Sequence, residues 1–266
     1  MMASLLFSML TAAAPASGST ASPSDARCCA VLELRQYTLK PGQRDVLISL
    51  FEREFVETQE AVGIHLVGQF RDLDRPDRFV WFRGFPDMPS RANALQAFYG
   101  GPVWQAHRDA ANATIDDSDN VLLLRRAARD TSFETPSATR APIGATEPSH
   151  SRIVVTIYHF DAPVDDAFRR FFDDELAPTL AEAGARPIAR LETESAENTF
   201  PRLPVRTGEH VFVWVAKFAD DAAWRDSDAR LAASANWAAL RSRLERQLKS
   251  PPERLVLEPT SRSRLR

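Results

Sequence analysis

Cysteine is nearly absent from this chain: Cys28 and Cys29 are the only two, and they are adjacent. Neighbouring Cα atoms lie about 3.8 Å apart, closer than an ordinary disulfide prefers, so a bond between them would be strained. With no other cysteine there is no disulfide framework and no thiolate metal site, and the pair reads as two small apolar residues leading into a strand. Lysine is scarce too, occurring only at Lys40, Lys217 and Lys249, so the positive charge is carried by arginine. Codon bias in a GC-rich genome accounts for that, because charge alone could use either residue. Long apolar runs are missing as well. Leu5–Ala16 comes nearest, but Ser8 and Thr11 interrupt it, and it is too short and too polar to span a bilayer. Ala14-Pro15-Ala16 has the form of a cleavage site, yet no Lys or Arg precedes the stretch. Residues 1–27 are therefore expected to be a disordered extension of a cytoplasmic protein, with export by a weak signal left open.

A formal charge of −3 over 266 residues gives no global basic footprint, which argues against nucleic acid and anionic membrane as partners. The common catalytic and nucleotide-binding signatures are absent: no G-x-G-x-x-G, no Walker loop, no G-x-S-x-G and no H-E-x-x-H. The 5 histidines are scattered rather than set at ligand spacing. Asp116-Asp117-Ser118-Asp119 lacks the glycine and distal glutamate of a calcium loop and reads as a solvated turn. Nothing calls for a cofactor or a metal.

What is present is a plan used twice. Val31–Leu39 is rich in branched and aromatic residues and closes on Lys40-Pro41-Gly42, a strand followed by a turn. Val46, Leu47, Leu50, Phe51 and Phe55 recur at helical spacing, and Gly63 ends that helix. Ile64–Arg71 and Arg78–Phe85 form a hairpin, a helix runs from about Ser90 with a break at Gly100-Gly101-Pro102, and Asn120–Arg126 is a last strand. The order is βαββαβ. After a Pro/Ser/Thr/Ala-rich linker it begins again: strand Arg152–Phe160, a helix from Val164, a hairpin, a long helix from about Asp221 and strand Arg254–Glu258. Tyr37 to Gly63 and Tyr158 to Gly184 are both 26 positions, and Trp81 to Trp104 and Trp214 to Trp237 are both 23. Gly63 to Trp81 is 18 whereas Gly184 to Trp214 is 30, so the second hairpin loop is longer by twelve.

These spacings predict an α+β fold: two tandem ferredoxin-like βαββαβ units whose open sheet faces are buried against each other as an intrachain α/β barrel with helices outside. The expected units are residues 28–126 and 151–260, joined by a linker over 127–150, and most of 127–149 is expected to contribute nothing to the core.

Glu33-Leu34-Arg35-Gln36-Tyr37, Lys40-Pro41-Gly42, Val67-Gly68-Gln69-Phe70, Phe79-Val80-Trp81-Phe82-Arg83-Gly84-Phe85, Phe98-Tyr99, Gly101-Pro102-Val103-Trp104, Ala111-Asn112 and Asp119-Asn120-Val121-Leu122-Leu123-Leu124 form an ordered set over about Val31–Arg126. In that set the first half resembles the NIPSNAP family. The resemblance implies an α/β-barrel relative of small monooxygenases, isomerases and haem-degrading enzymes. It implies no catalytic residue, because the family offers no motif to carry across, and fold does not fix function.

The two halves act as an internal control. Tyr37, Trp81 and Trp104 recur as Tyr158, Trp214 and Trp237, as a shared framework would. Polar residues found in the first half alone are the site candidates. His107 stands where the second half has Leu240, and reads as a satisfied core histidine, a pocket acid or base, or a metal or haem ligand. Arg83 stands where the second half has Ala216, and is either paired with a carboxylate such as Glu33 or reaching an anionic ligand group. His65 shares a strand face with Gln69 and Arg71, and is a surface residue or part of the site. The favoured reading is a first-half pocket lined by Tyr37, His65, Trp81, Arg83, Trp104 and His107 that binds or transforms a small, partly apolar molecule, with His107 and Arg83 supplying base and oxyanion stabiliser. Cofactor-independent oxygenation, isomerisation or lyase chemistry would suit it, and a homo-oligomer is compatible with it. The alternative is a non-enzymatic interaction or scaffold protein whose polar residues seal the halves together.

Overall fold

A computed structural model describes residues 29–128, 131–133 and 139–266; the expectations for residues 1–27 lie outside these. The first half comprises β1 (Val31–Leu39), α1 (Arg44–Leu50), a π-helical turn (Phe51–Phe55), α2 (Val56–Ala61), β2 (His65–Asp72), β3 (Arg78–Phe85), α3 (Met88–Gly100), α4 (Pro102–Thr114), a short β4 (Ile115–Asp117) and β5 (Val121–Arg126). The second half comprises β6 (Arg152–Phe160), α5 (Asp166–Phe171), a second π-helical turn (Phe172–Leu176), α6 (Ala177–Glu182), β7 (Pro187–Thr193), β8 (His210–Phe218), α7 (Asp221–Ala233), α8 (Ala235–Glu245) and β9 (Glu253–Pro259).

The strands run β3-β2-β9-β6-β8-β7-β5-β1 and close through β1–β3, giving an eight-stranded antiparallel barrel, with β4 appended to β1. The halves meet at two short seams of three paired positions each, β2 with β9 and β5 with β7. Side chains alternate along each strand. Leu32 and Leu34 of β1 point into the barrel, where they join Val80, Phe82, Ile153, Val155, Val213 and Leu257 in a packed apolar interior. Val31, Tyr37 and Leu39 point the other way, into a layer closed by α1–α4. A matching outer layer lies under α5–α8. The barrel is thus a filled core, and the space for a site lies between sheet and helices.

Local devices recur at the same offsets. The π-helical turns begin at Phe51 and Phe172. The β2–β3 register shifts between Leu66 and Gly68, and the β7–β8 register between Pro187 and Ala189. Gly63 and Gly184 both take positive φ, +89° and +94°, where a side chain would be strained. Asp87 caps α3 by accepting from Ser90 N, and Asp220 caps α7 by accepting from Ala223 N.

Three expectations need correction. The long helix from Asp221 is broken at Ser234, whose Oγ accepts from Trp237 N at 3.2 Å and caps α8; no proline or glycine marks that break. The linker is not wholly outside the core. Phe133 is buried among the barrel residues, edge-on to Phe82 at 5.3 Å, and Arg140 pairs with Glu60 at 2.6 Å. Beyond β9, Arg262 is buried against Glu57 and Leu265 N donates to Val67 O, so the chain end straps the β2 bulge. Cys29, finally, is disulfide-bonded rather than a free apolar residue.

Candidate functional site

The outward face of β1 carries Glu33, Arg35 and Tyr37 at alternate positions, and β3 sets Trp81 and Arg83 beside them by pairing Arg35 with Trp81 and Glu33 with Arg83. Arg91, in the first turns of α3, comes down on the same point. Glu33, Arg35, Arg83 and Arg91 all have 0% of their surface exposed. Glu33 Oε2 accepts from Arg35 Nη1 and Arg83 Nε, both at 2.7 Å, and its Oε1 accepts from Arg91 Nε at 2.7 Å. Burial by itself would raise the Glu33 carboxyl, but Arg83, Arg35 and Arg91 outweigh it and hold it far below the usual carboxylate range.

One carboxylate against three guanidinium groups leaves this buried cluster with a net charge of +2. The Nη2 atoms of Arg35, Arg83 and Arg91 are all buried without a hydrogen-bond partner. Arg35 Nε donates to Tyr37 Oη at 3.0 Å, and Arg83 reaches Gln59 Oε1 at 3.4 Å and Tyr99 Oη at 3.5 Å. The guanidinium planes of Arg35 and Arg83 stand 5.6 and 5.0 Å from the Trp81 ring centre.

Above the cluster lies a cavity of about 360 Å³. Tyr37, Gln59, Trp81 and Tyr99 form its floor over the charges, and Phe51, Phe55, Phe98 and Trp104 add aromatic walls. The π-helical turn brings Phe51 and Phe55 there, consistent with the frequent use of such turns at sites. Arg108 and Arg202 are the charged residues of the lining, which contains no carboxylate. The cover is supplied by the second half. The longer loop between β7 and β8 crosses over and stacks Phe200 on Tyr99, centroids 5.8 Å apart. Asn198 Oδ1 and Thr199 Oγ1 accept from Arg91 Nη1 at 3.0 and 3.3 Å. The twelve extra residues thus complete the first-half site.

Tyr37, Trp81 and Trp104 line this cavity, and Arg83 stands behind its floor paired to Glu33. The two histidines are elsewhere. His65 is exposed at the start of β2. His107 is one-third exposed on α4, with Nε2 3.5 Å from Glu54 Oε2, outside the lining. His107 is partly exposed where Leu240 is buried, although α4 and α8 turn the same face to their cavities, Trp104, Arg108 and Ala111 in one and Trp237, Arg241 and Leu244 in the other. Arg35, Arg91, Gln59, Tyr99 and the loop around Phe200 were not singled out from sequence. Arg35 had a readable signal, since it alternates in phase with Glu33 and Tyr37 on β1.

At the spacings that relate the halves, Glu33, Arg35, Gln59, Arg83 and Arg91 correspond to Val154, Thr156, Leu180, Ala216 and Trp224. The second-half cavity, about 530 Å³, is accordingly floored by Tyr158 and Trp214 with no ionic cluster beneath. There Trp214 Nε1 donates to Tyr158 Oη at 3.0 Å.

A family model for NIPSNAP matches residues 32–153. The chain carries a NIPSNAP domain. The match takes in the whole floor of the cavity but stops before the Phe200 loop that covers it. No curated protein matches the chain. Among solved structures, a candidate monooxygenase from Fusobacterium nucleatum is similar at 9% identity and a TM-score of 0.55, over 86% of this chain and 92% of that one. An anthrone oxidase-like protein is similar at 13% identity and a TM-score of 0.53, over 89% and 93%. An uncharacterized NIPSNAP domain protein from Burkholderia xenovorans aligns at 18% identity over 37% of this chain and 95% of that one, with a TM-score of 0.35. At these identities the two full-length neighbours establish the mixed α/β barrel fold alone. Among the described residues no group of His, Cys, Asp or Glu could hold a metal ion, and no helix is long and apolar enough to cross a membrane.

Proposed function

We propose that this chain binds a small, partly apolar molecule in the cavity between the sheet and helices of its NIPSNAP domain, and that the site is arranged for cofactor-independent oxygenase, isomerase or lyase chemistry. The observation that carries this is the buried Glu33–Arg35–Arg83–Arg91 cluster beneath an aromatic cavity, in one half only. Burying a charge costs several kcal/mol even after relaxation, and a hydrophobic replacement is often neutral or stabilising. The second half folds with Val154, Thr156, Ala216 and Trp224 at those positions, so stability does not explain the cluster. Arg91 donates to Asn198 and Thr199 of the second half, so sealing the halves together would account for that residue but not for Glu33, Arg35 and Arg83. The roles follow from position: Tyr37 and Trp81 meet the ligand, and Arg83 acts through them. The lining has donors but neither carboxylate nor imidazole, so a substrate would have to be acidic enough to enter as its anion, its proton left to solvent.

The matched π-helical turns, bulges and caps further support reading the halves as diverged copies of one ferredoxin-like unit, the first keeping the working pocket and the second lending its loop as cover.

The test is calorimetric titration of the purified protein with 2-naphthamide, a neutral two-ring probe. Ala111 lines the cavity, and Leu244 occupies its position in the second half. Ala111→Leu should fill the space and weaken binding by about tenfold or more while leaving the fold intact. No binding by the wild type, or binding indifferent to Ala111→Leu, overturns the assignment.

A further inference from the structure

We infer that the ligand of this cavity is a planar aromatic molecule bearing one anionic oxygen group, a carboxylate, enolate or phenolate, which is seated on Tyr37 over the arginine cluster. This rests on the cavity being the binding site and names its ligand class.

The floor has a surplus of donors. Tyr37 Oη already accepts from Arg35 Nε at 3.0 Å, so the phenol has only its own proton to offer, and no acceptor for it lies within reach among the described residues. Burial raises the Tyr37 hydroxyl above its ordinary range against the pull of Arg35, which keeps it a protonated donor at neutral pH. Trp81 Nε1 and the three guanidinium Nη2 atoms are likewise buried without acceptors. A native interior leaves few such groups unpaired, and each asks for an explanation.

Charge says the same. The cluster is +2, and Glu33 is spent on three arginines at 2.7 Å each. Arg202 adds positive charge at the mouth, whereas Arg108 there is paired with Asp109 at 3.3 Å. At short range in a poorly hydrated site such a surplus attracts an anion far more strongly than in water. A neutral ligand would leave it uncompensated, and a cation would be repelled. The walls set the rest of the molecule: Phe51, Phe55, Phe98 and Trp104 offer ring faces and edges, so the anionic group belongs at one end of a flat apolar body. The second-half cavity is the control: Trp214 Nε1 is satisfied by Tyr158 Oη, and Val154, Thr156, Ala216 and Trp224 stand in place of the buried charges.

The experiment compares 2-naphthoate with 2-naphthamide, which share a ring system and differ in charge, on the wild type, Tyr37→Phe and Trp81→Phe. Naphthoate should bind at least about tenfold more tightly than the amide, the range expected for a hydrogen bond to a charged group. Tyr37→Phe should remove most of that preference, naphthoate losing far more affinity than the amide. In the wild type, naphthoate should move the indole N–H resonance that Trp81→Phe deletes, a readout that does not require the Tyr37 variant to fold. Equal affinity for the two probes overturns the anionic class and leaves the cavity assignment standing. Binding of neither overturns both. A naphthoate preference that survives Tyr37→Phe, with the Trp81 resonance unmoved, places the anion elsewhere and overturns the inference.

Discussion

Trp81 and Tyr37 meet edge to face, ring centroids 5.9 Å apart at 88°, and no hydrogen bond joins them. Their counterparts Trp214 and Tyr158 are joined by one at 3.0 Å. The difference is Arg35, which takes the phenol oxygen of Tyr37 where Thr156 leaves Tyr158 to the indole. One residue on β1 thus turns a closed aromatic pair into an open one. Arg35→Met, which keeps the volume and removes the charge, should let Trp81 donate to Tyr37, seen as a downfield shift of its indole proton. Folding stability should stay within about 1 kcal/mol of wild type or rise, as when buried ionic groups give way to apolar ones. An unmoved indole signal would show that Arg35 is not what separates the pair.

Removing the carboxylate should have the opposite effect. Glu33→Gln leaves three buried guanidinium groups without a counter-charge and should cost about 3–5 kcal/mol in urea unfolding. The pH dependence follows from the direction of its shift. The folded-state value of Glu33 is depressed, so its contribution is fully present above the unfolded value of about 4.3 and is lost as pH falls from there toward the folded value. The urea midpoint of the wild type should therefore drop between about pH 5 and pH 2, with a shallower drop in the variant. Equal slopes would mean that Glu33 is not the linked group.

How far the sequence revealed this site depends on the residue. Period-2 alternation located β1 and β3 to the residue, and with them the shared outward face of Arg83, Trp81 and Tyr37. The Glu33–Arg83 pair was among the alternatives because charge pairing across adjacent strands needs only register. Arg91 and Asn198 were beyond reach: they arrive from a helix and from the other half, and nothing local in either segment says what it will cover. His107 failed for a related reason. Spacing from Trp104 put it on the same helix face as Leu240, but the imidazole reaches out to Glu54 where the leucine is buried.

His107→Leu accordingly becomes a modest substitution. A pair one-third and one-quarter exposed at 3.5 Å contributes little, so the variant should stay within about 1 kcal/mol of wild type and bind 2-naphthamide unchanged. A loss of about tenfold in binding would return His107 to the site.

Gly68 is fixed by what surrounds it. A Cβ there would meet Phe70 Cζ at 2.3 Å and Ser263 Oγ at 3.1 Å, and the Phe70 ring, wholly buried in the barrel, has nowhere to go. Gly68→Ala should cost about 1–3 kcal/mol in thermal or urea unfolding and loosen the chain end from β2. Ser263→Ala should cost much less, since it removes only a hydroxyl that caps Gln69 N at 3.1 Å. A neutral Gly68→Ala would show that the bulge can rearrange.

The cover can be tested apart from the floor. Phe200 lies on Tyr99 at the end of a loop whose length has no equivalent in the first half, and Asn198 and Thr199 of that loop hold Arg91 from above. Ligand leaving the cavity must pass this layer, so loosening it should act on departure more than on arrival. Phe200→Ala removes the stacked ring and leaves the Asn198 contact in place. It should raise the dissociation rate of 2-naphthamide by about tenfold and change the association rate by less than about threefold. The cost in folding stability should be about 3–5 kcal/mol, because the ring is buried, stacked on Tyr99 with Arg202 beside it. Asn198 accepts from Phe200 N and donates to Leu203 O, so Asn198→Ala should loosen the same loop and raise the dissociation rate as well. Identical dissociation rates for wild type and Phe200→Ala would mean that the second half only neighbours the site and does not close it.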